Sequence, residues 1–180
     1  MHSTDTTLPQ TVREQSAELL NKYLAAAIDL QGQVKQARWN AKGPDSNSIR
    51  ILLEKVSDEV QSCSELIAER TRGLGALAQG TVQFAAKRSF LLPYPLDIAD
   101  AREHVFAVIA ALAAFGQCAI EAAAAAAAFG DANTADLLRD ISNRIDQQIW
   151  LAHFHVVPKN RPARLDEVPS QSWQAAKSSV

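Results

Sequence analysis

The chain contains little cysteine, glycine or proline, and its charges nearly balance. Its two cysteines, Cys63 and Cys118, are too few for a disulfide scaffold and fit a reducing cytoplasm. Seven glycines and seven prolines in 180 residues are few for an all-β fold. The formal net charge of −2 excludes a general polyanion binder, so nucleic-acid binding would require a local basic patch.

Neither a secretory signal nor a membrane span is expected. The first ten residues, MHSTDTTLPQ, have no basic end and no apolar core. The most apolar stretch, Val105 to Phe129, is largely alanine and is interrupted by Gln117, Cys118 and Glu121. Because alanine contributes little hydrophobic area, we interpret this stretch as a close-packed helix of a soluble, cytoplasmic protein.

Four long segments have the apolar periodicity of helices. We predict helices over about 10–38, 45–73, 100–129 and from 131–134 to just before Pro158. Gly43-Pro44, Gly73 and Gly130 separate these segments. The length of the chain and its 47% hydrophobic content suit one globular domain.

The connections between these segments predict the topology. The first and last connections are short, so each joins an antiparallel helix pair. Residues 74–99 can cross the whole bundle, because a helix of about 28 residues is about 42 Å long. One long crossover between two hairpins is the ferritin-like arrangement. We therefore predict an all-α, ferritin-like four-helix bundle over residues 10–157, with a short extra helix at 95–99 in the crossover.

The bundle is predicted to lie between two tails, a flexible one over 1–9 and an extended one over 158–180. In the second tail, Trp173 is a candidate anchor. Lys159, Arg161 and Arg164 give this tail a small surplus of positive charge and are weak candidates for DNA binding. Each tail would neutralise few phosphates, and salt would screen the binding, so a linker or interface role is favoured.

A series of short motifs runs in order from about Leu20 to Val157. The motifs are Leu20-Asn21, Asp29-Leu30, Lys35–Pro44, Leu66–Arg70, Leu74-Gly75, Gly80-Thr81, Tyr94-Pro95, Asp97-Ile98, Gly130–Leu137 and Ile149-Trp150 with His155. With their spacing they resemble the Dps family, the ferritin-like DNA-protection proteins of starved bacteria. The resemblance implies a dodecameric shell built from two-fold dimers, iron(II) oxidation, ferric iron storage, stress protection and, in some members, DNA binding.

The resemblance also implies a ferroxidase centre at a subunit interface, with two histidines from one subunit and two carboxylates from the other. Arg38 and Arg50 occupy the histidine positions, Glu65 and Glu69 occupy the carboxylate positions, and Trp39 lies beside the centre. A guanidinium stays protonated and only donates hydrogen bonds, so it cannot replace an imidazole ligand of iron. The four charged side chains sum to zero, whereas the histidine version would carry −2.

Our hypothesis is that Arg38 and Arg50 take the metal's place and form salt bridges with Glu65 and Glu69, so that ferroxidase activity is weak or lost. One alternative is that Glu65 and Glu69, with an unrecognised ligand, still bind and oxidise iron. Another is a DNA-associated structural shell without iron chemistry. For Trp39, packing in the core or an interface is favoured over the uptake of oxidising equivalents.

Several further residues carry predictions. Asp131 and Asp136 match acidic residues of the family's three-fold pores, and Asp140 lies one helical turn further. Such carboxylates would draw cations inward, although Asp131 could instead cap a helix. Glu54 is a weak candidate for mineral nucleation inside the shell. We also expect a solvated His104, a core position for Trp150, and buried positions for both cysteines.

Overall fold

Five helices form the fold of this computed structural model, which describes residues 7–156. They are α1 (Gln10–Asn40), α2 (Ser46–Gly73), α3 (Val82–Arg88), α4 (Ala101–Phe129) and α5 (Ala132–Val156). The four long helices form a bundle in which α1 packs on α2 and α4, whereas α5 packs on α4 and α2. The short α3 lies against α1. The predicted all-α four-helix bundle with a long crossover and an extra helix is confirmed.

Local cap chemistry sets the boundaries of α4 and α5. Asp100 and Glu103 form a capping box at the start of α4. The side chain of Asp100 accepts from the backbone N–H of Glu103, and the side chain of Glu103 accepts from the backbone N–H of Asp100. Gly130 ends α4 with a left-handed φ of 90°, a conformation that favours glycine. Asp131 then caps α5 by accepting a hydrogen bond from the backbone N–H of Thr134 at 3.0 Å.

The extra helix does not lie where the sequence predicted it. The crossover is helical at Val82–Arg88, where Thr81 caps the helix by accepting from the backbone N–H of Phe84 at 3.3 Å. Residues 95–99 are not helical. A segment of five residues could form little more than one helical turn, whose nucleation is unfavourable, and Asp100 after it is extended to cap α4.

Helix α4 packs closely on both α1 and α5. The fully buried ring of Phe115 lies 5.9 Å from the ring of Tyr23, centroid to centroid. Gly116 allows the close approach of α5, since a Cβ at this position would lie 3.2 Å from Ile145 Cγ2. The hydroxyl of Ser142 donates to the carbonyl of Gly116 at 3.1 Å. Small residues in α4 therefore bring the two helices together.

Helix α4 is the one helix within residues 7–156 that is long and apolar enough to cross a membrane. In its most apolar stretch, 44% of the residues are buried inside the bundle. Core helices of soluble proteins pass the same test of length and composition.

Two expectations about single residues are wrong. His104 is buried rather than solvated, and its Nδ1 lies 2.6 Å from the hydroxyl of Tyr94. Burial lowers the pKa of His104, although Glu103 acts in the opposite direction. Trp150 is 66% exposed rather than in the core, and it stacks on Phe154 at 6.1 Å between ring centroids.

The two cysteines differ in burial. Cys63 is fully buried on α2, as expected, and burial raises its pKa to about 11. Cys118 is only half-buried. Neither forms a disulfide.

Buried polar side chains of α1 bind the crossover. The side-chain amide of Asn21 donates to the carbonyl of Leu77 at 3.0 Å and accepts from the backbone N–H of Gln79 at 2.9 Å. Further along α1, Gln33 donates to the carbonyl of Leu92 at 3.0 Å. These hydrogen bonds satisfy backbone groups of the crossover, which lie outside the helices and therefore have no intrahelical partner.

Asn21→Ala is expected to lower the free energy of unfolding by about 1–3 kcal/mol, because two partly buried backbone groups lose their partner. The exposed Asn47 provides the control, since Asn47→Ala should change stability by no more than about 0.5 kcal/mol. Thermal denaturation measures both values, and hydrogen exchange should be faster at residues 77–79 in Asn21→Ala only. Equal stability of the two variants would contradict this role of Asn21.

Candidate functional site

Arg38 and Arg50 lie at the hairpin between α1 and α2, and each contacts its own subunit. The Nη1 of Arg38 forms an ion pair with the carboxylate of Glu54, one turn after Arg50 on α2. The Nη2 of Arg50 donates to the carbonyl of Ala41 at 3.1 Å. Both guanidinium groups are therefore held in place before any second subunit is present.

Glu65 and Glu69 lie far from these arginines on the same helix. Both side chains are exposed, and neither side chain has a hydrogen bond or ion pair within residues 7–156. Fifteen residues separate Arg50 from Glu65, which is about 22 Å of α-helix at 1.5 Å per residue. The four side chains cannot meet within one subunit, so a joint site requires two.

The donor set at the hairpin does not fit iron. A guanidinium has five N–H donors and no acceptor, so neither arginine can supply a lone pair to a metal. Arg38 also pairs with Glu54, which is the nearest carboxylate to it along this helix pair. Across residues 7–156, no group of three or more His, Cys, Asp and Glu side chains is placed to hold a metal ion.

The structure shows the positions of Trp39 and Glu54, whereas the roles predicted for them stay predictions. Trp39 is 65% exposed, so it does not pack in the core of the subunit, and packing at an interface stays a prediction. Glu54 is exposed but engaged by Arg38. Mineral nucleation by Glu54 would therefore have to be performed by a carboxylate that is already paired with Arg38.

A cleft of about 440 Å³ lies between α1 and α2 beside Glu65. Its polar lining includes Gln31, Lys35, Gln61 and Ser64. The side chain of Gln31 donates to that of Gln61 at 3.2 Å across the cleft. Glu65 therefore borders an open, polar surface that also carries a lysine.

Asp131 is buried at the start of α5, where it takes the helix-capping position that was one of the two predictions made for it. Its side chain is 1% exposed, and Arg70 Nη2 and the hydroxyl of Thr134 lie 2.7 Å and 2.6 Å from its carboxylate oxygens. Burial alone would raise the pKa of Asp131, but the hydrogen bonds from Thr134 and the charge of Arg70 lower it below the ordinary value. Helix capping by Asp131 is thus observed, whereas its predicted part in a pore stays a prediction.

Asp136 and Asp140 remain candidates for a pore. Asp136 is 75% exposed and pairs with Arg139 at 2.7 Å. Asp140 is also exposed and lies 3.9 Å from Arg144 Nη1. Both carboxylates project from the first part of α5 and are accessible to cations, so their predicted role stays a prediction.

Sequence reasoning missed the structural role of Arg144. Its Nε donates to Glu59 at 2.5 Å and its Nη2 donates to Ser62 at 2.8 Å, which links α5 to α2. Burial alone would lower the pKa of Arg144, but the hydrogen bond to Glu59 and the charges of Glu59 and Asp140 together raise it above the ordinary value. The partners lie more than 80 residues apart in the sequence, so no local pattern indicates the contact.

The candidate DNA-binding residues Lys159, Arg161 and Arg164 lie outside the described residues, as does Trp173. The same holds for residues 1–6 of the predicted N-terminal tail.

Comparisons with known proteins assign the fold to a family. A model of the ferritin-like domain matches residues 17–157. The "DNA protection during starvation protein" of Agrobacterium fabrum is 31% identical over 159 residues, which covers 88% of this chain and 98% of that protein. The chain belongs to the Dps family of ferritin-like proteins. The family resemblance seen in the sequence motifs is thereby confirmed.

Solved structures of Dps proteins share this fold. DpsC from Streptomyces coelicolor has a TM-score of 0.80 at 25% identity, covering 87% of this chain and 91% of its own. A Dps protein from Vibrio cholerae, described as a member of a superfamily of ferritin-like diiron-carboxylate proteins, has a TM-score of 0.78 at 18% identity. The match covers 87% of this chain and 99% of the Vibrio chain. The predicted ferritin-like arrangement of this Dps-family chain is confirmed.

Proposed function

We propose that this Dps-family protein assembles into a cytoplasmic shell for iron binding, iron storage and stress protection, and that its interface ferroxidase centre is inactive. Iron storage and DNA protection are general functions of the family. The observation that carries the finer proposal is the placement of Arg38 and Arg50, which are fixed by Glu54 and Ala41 where imidazole ligands would be needed. The shell is proposed to be a dodecamer built from two-fold dimers.

At the two-fold interface, Arg38 and Arg50 are proposed to face Glu65 and Glu69 of a second subunit. Arg38 can hold Glu54 and a further carboxylate together, because a guanidinium has five N–H donors and the ion pair with Glu54 is made by Nη1. The glutamates need such a partner, since they are i,i+4 neighbours of like charge on α2. Bidentate pairing would hold the interface without iron.

Charge also disfavours iron(II) at this position. Each arginine adds one positive charge relative to a neutral histidine. A unit charge about 4 Å from a divalent cation repels it by several kcal/mol at an intermediate effective dielectric. Iron(II) is therefore expected to reach the interior as cargo, through openings lined by residues such as Asp136 and Asp140, without being oxidised at the interface.

The decisive experiment measures iron(II) oxidation by peroxide, and separately by oxygen, from the absorbance of the ferric product. Metal-free assembled protein is compared with a protein-free blank, and the expected rate equals that of the blank. A saturable rate above the blank that is lost in Glu69→Ala would contradict the proposal. It would favour the alternative in which Glu65 and Glu69 work with another ligand.

A further inference from the structure

An apolar cleft of about 210 Å³ lies between the crossover and α4, apart from the arginine hairpin. We name it the crossover cleft, and it is lined mainly by Leu91, Leu92, Pro95, Ala107, Ala110 and Ala114. Its polar side chain, Gln33, already donates to the carbonyl of Leu92. The cleft therefore offers apolar surface and no side-chain group that still needs a hydrogen bond.

The size of the crossover cleft favours a side chain over a small-molecule ligand. Pockets for cofactors and drug-sized ligands usually measure about 300–1,000 Å³. The cleft is smaller and open, and Leu92 at its edge is 84% exposed. An aromatic side chain of a peptide segment would bury about 150–250 Å² in such a place.

The chain leaves the described fold close to this cleft. The contact between Ser142 and Gly116 fixes the register of the antiparallel helices α4 and α5. In this register Val156 lies level with about the first turn of α4. The cleft residues of α4 lie about 5–18 Å further along it and about one helix diameter across. An extended segment of about six residues spans 20 Å, so residues 157–180 reach the cleft easily.

We propose that the segment 157–180 docks into the crossover cleft of its own subunit, with Trp173 as the apolar anchor. This proposal does not depend on the state of the ferroxidase centre. The segment carries apolar residues on both sides of its cations, namely Leu165, Val168 and Trp173. A tether raises the effective concentration of the segment at the cleft to the millimolar range, so a modest contact suffices.

Charge complementarity supports the same path. Asp97, Asp100 and Glu103 are exposed around the start of α4, between Val156 and the cleft. The neighbouring cation Arg102 is bound to Asp45 at 2.9 Å. The first cations of the segment are Lys159, Arg161 and Arg164, so opposite charges line the route from α5 to the cleft.

Tryptophan fluorescence tests the proposal in assembled full-length protein. The chain has three tryptophans, so Trp39→Phe with Trp150→Phe leaves Trp173 as the single reporter. We expect its emission to be blue-shifted, and less quenched by acrylamide, relative to a free peptide of residues 157–180. Ala110→Asp in the cleft should move both values to those of the peptide. The control Ala113→Asp, exposed on the same helix outside the cleft, should leave them unchanged.

Three results would overturn the proposal. In the first, Trp173 behaves like the free peptide in the parent protein. In the second, Ala110→Asp changes the size of the assembly but not the emission of Trp173, which would make the cleft a contact between subunits. In the third, Ala110→Cys and Ser172→Cys, in a Cys63→Ala, Cys118→Ala background, cross-link into covalent dimers. A cross-link within one chain is the expected outcome.

Discussion

Replacing Arg38 and Arg50 together by histidine is expected to raise peroxide-driven iron(II) oxidation at least about 10-fold over the unaltered protein. Mutating residues that only hydrogen-bond to metal ligands already changes activity by about this factor, so restoring two ligands should change it at least as much. Two guanidinium groups that cannot bind a metal become two imidazoles that can. The formal charge of the interface falls by two, which removes the repulsion of iron(II). The double variant also releases Glu54, because its partner in the native subunit is Arg38.

Matched variants separate ligation from charge and from packing. Arg38→Lys with Arg50→Lys keeps the charge and should stay at the blank rate. Each single histidine variant should give a small gain, because one arginine remains beside the metal position. Adding Glu69→Ala to the double histidine variant should abolish the gain. If the double variant oxidises iron no faster than the native protein while remaining assembled, the arginines are not what closes the centre.

Most of the fold could be predicted from the sequence because its long helices have regular periodicity and clear ends. Gly73 and Gly130 end α2 and α4 where predicted. The short connections then leave few ways to arrange four helices, and the long crossover selects one of them. The crossover itself carries less information, since its conformation depends on hydrogen bonds to α1, such as those of Asn21, rather than on a repeating pattern.

The site was predicted less well, because its contacts lie between residues that are distant in the sequence. Motif positions pointed to Arg38 and Arg50, but nothing in the sequence paired Arg38 with Glu54 across the hairpin. Trp150 was expected in the core, although its position off the buried stripe of Ile141 and Ile145 on α5 indicates exposure. Charge type and position were therefore predictable, whereas the partner of each charge was not.

Because Arg38 pairs with Glu54, an arginine at position 38 has a second effect besides the absence of an imidazole ligand. A lost ligand alone would leave the acidic residues near the hairpin available to cations. In this protein the same guanidinium also balances a carboxylate predicted to face the interior. Under the proposed function, the absence of an iron ligand and the reduction of local negative charge would both follow from Arg38.

Asp131→Ala is expected to lower the free energy of unfolding by about 2–4 kcal/mol, because it combines the loss of a helix cap with an unpaired, largely buried arginine. Arg70 is only 21% exposed and would lose the partner of its Nη2. Asp136→Ala is the control, since its carboxylate is exposed and pairs only at the surface, where an ion pair contributes about 0–1 kcal/mol. Chemical denaturation of both variants measures the difference, and equal losses would contradict the role of Asp131.

The same carboxylate is expected to make stability depend on acid pH. Because the folded-state pKa of Asp131 lies below its ordinary value of 3.8, its contribution is complete above that value and is lost as pH falls through the folded-state pKa. Asp131→Asn keeps the shape but cannot ionise, so its stability deficit should be constant above about pH 5 and should shrink below about pH 4. Unfolding of the native protein and Asp131→Asn, measured from pH 7 down to pH 3, tests this. A deficit that stays constant across this range would show that ionisation of the carboxylate does not provide the stabilisation.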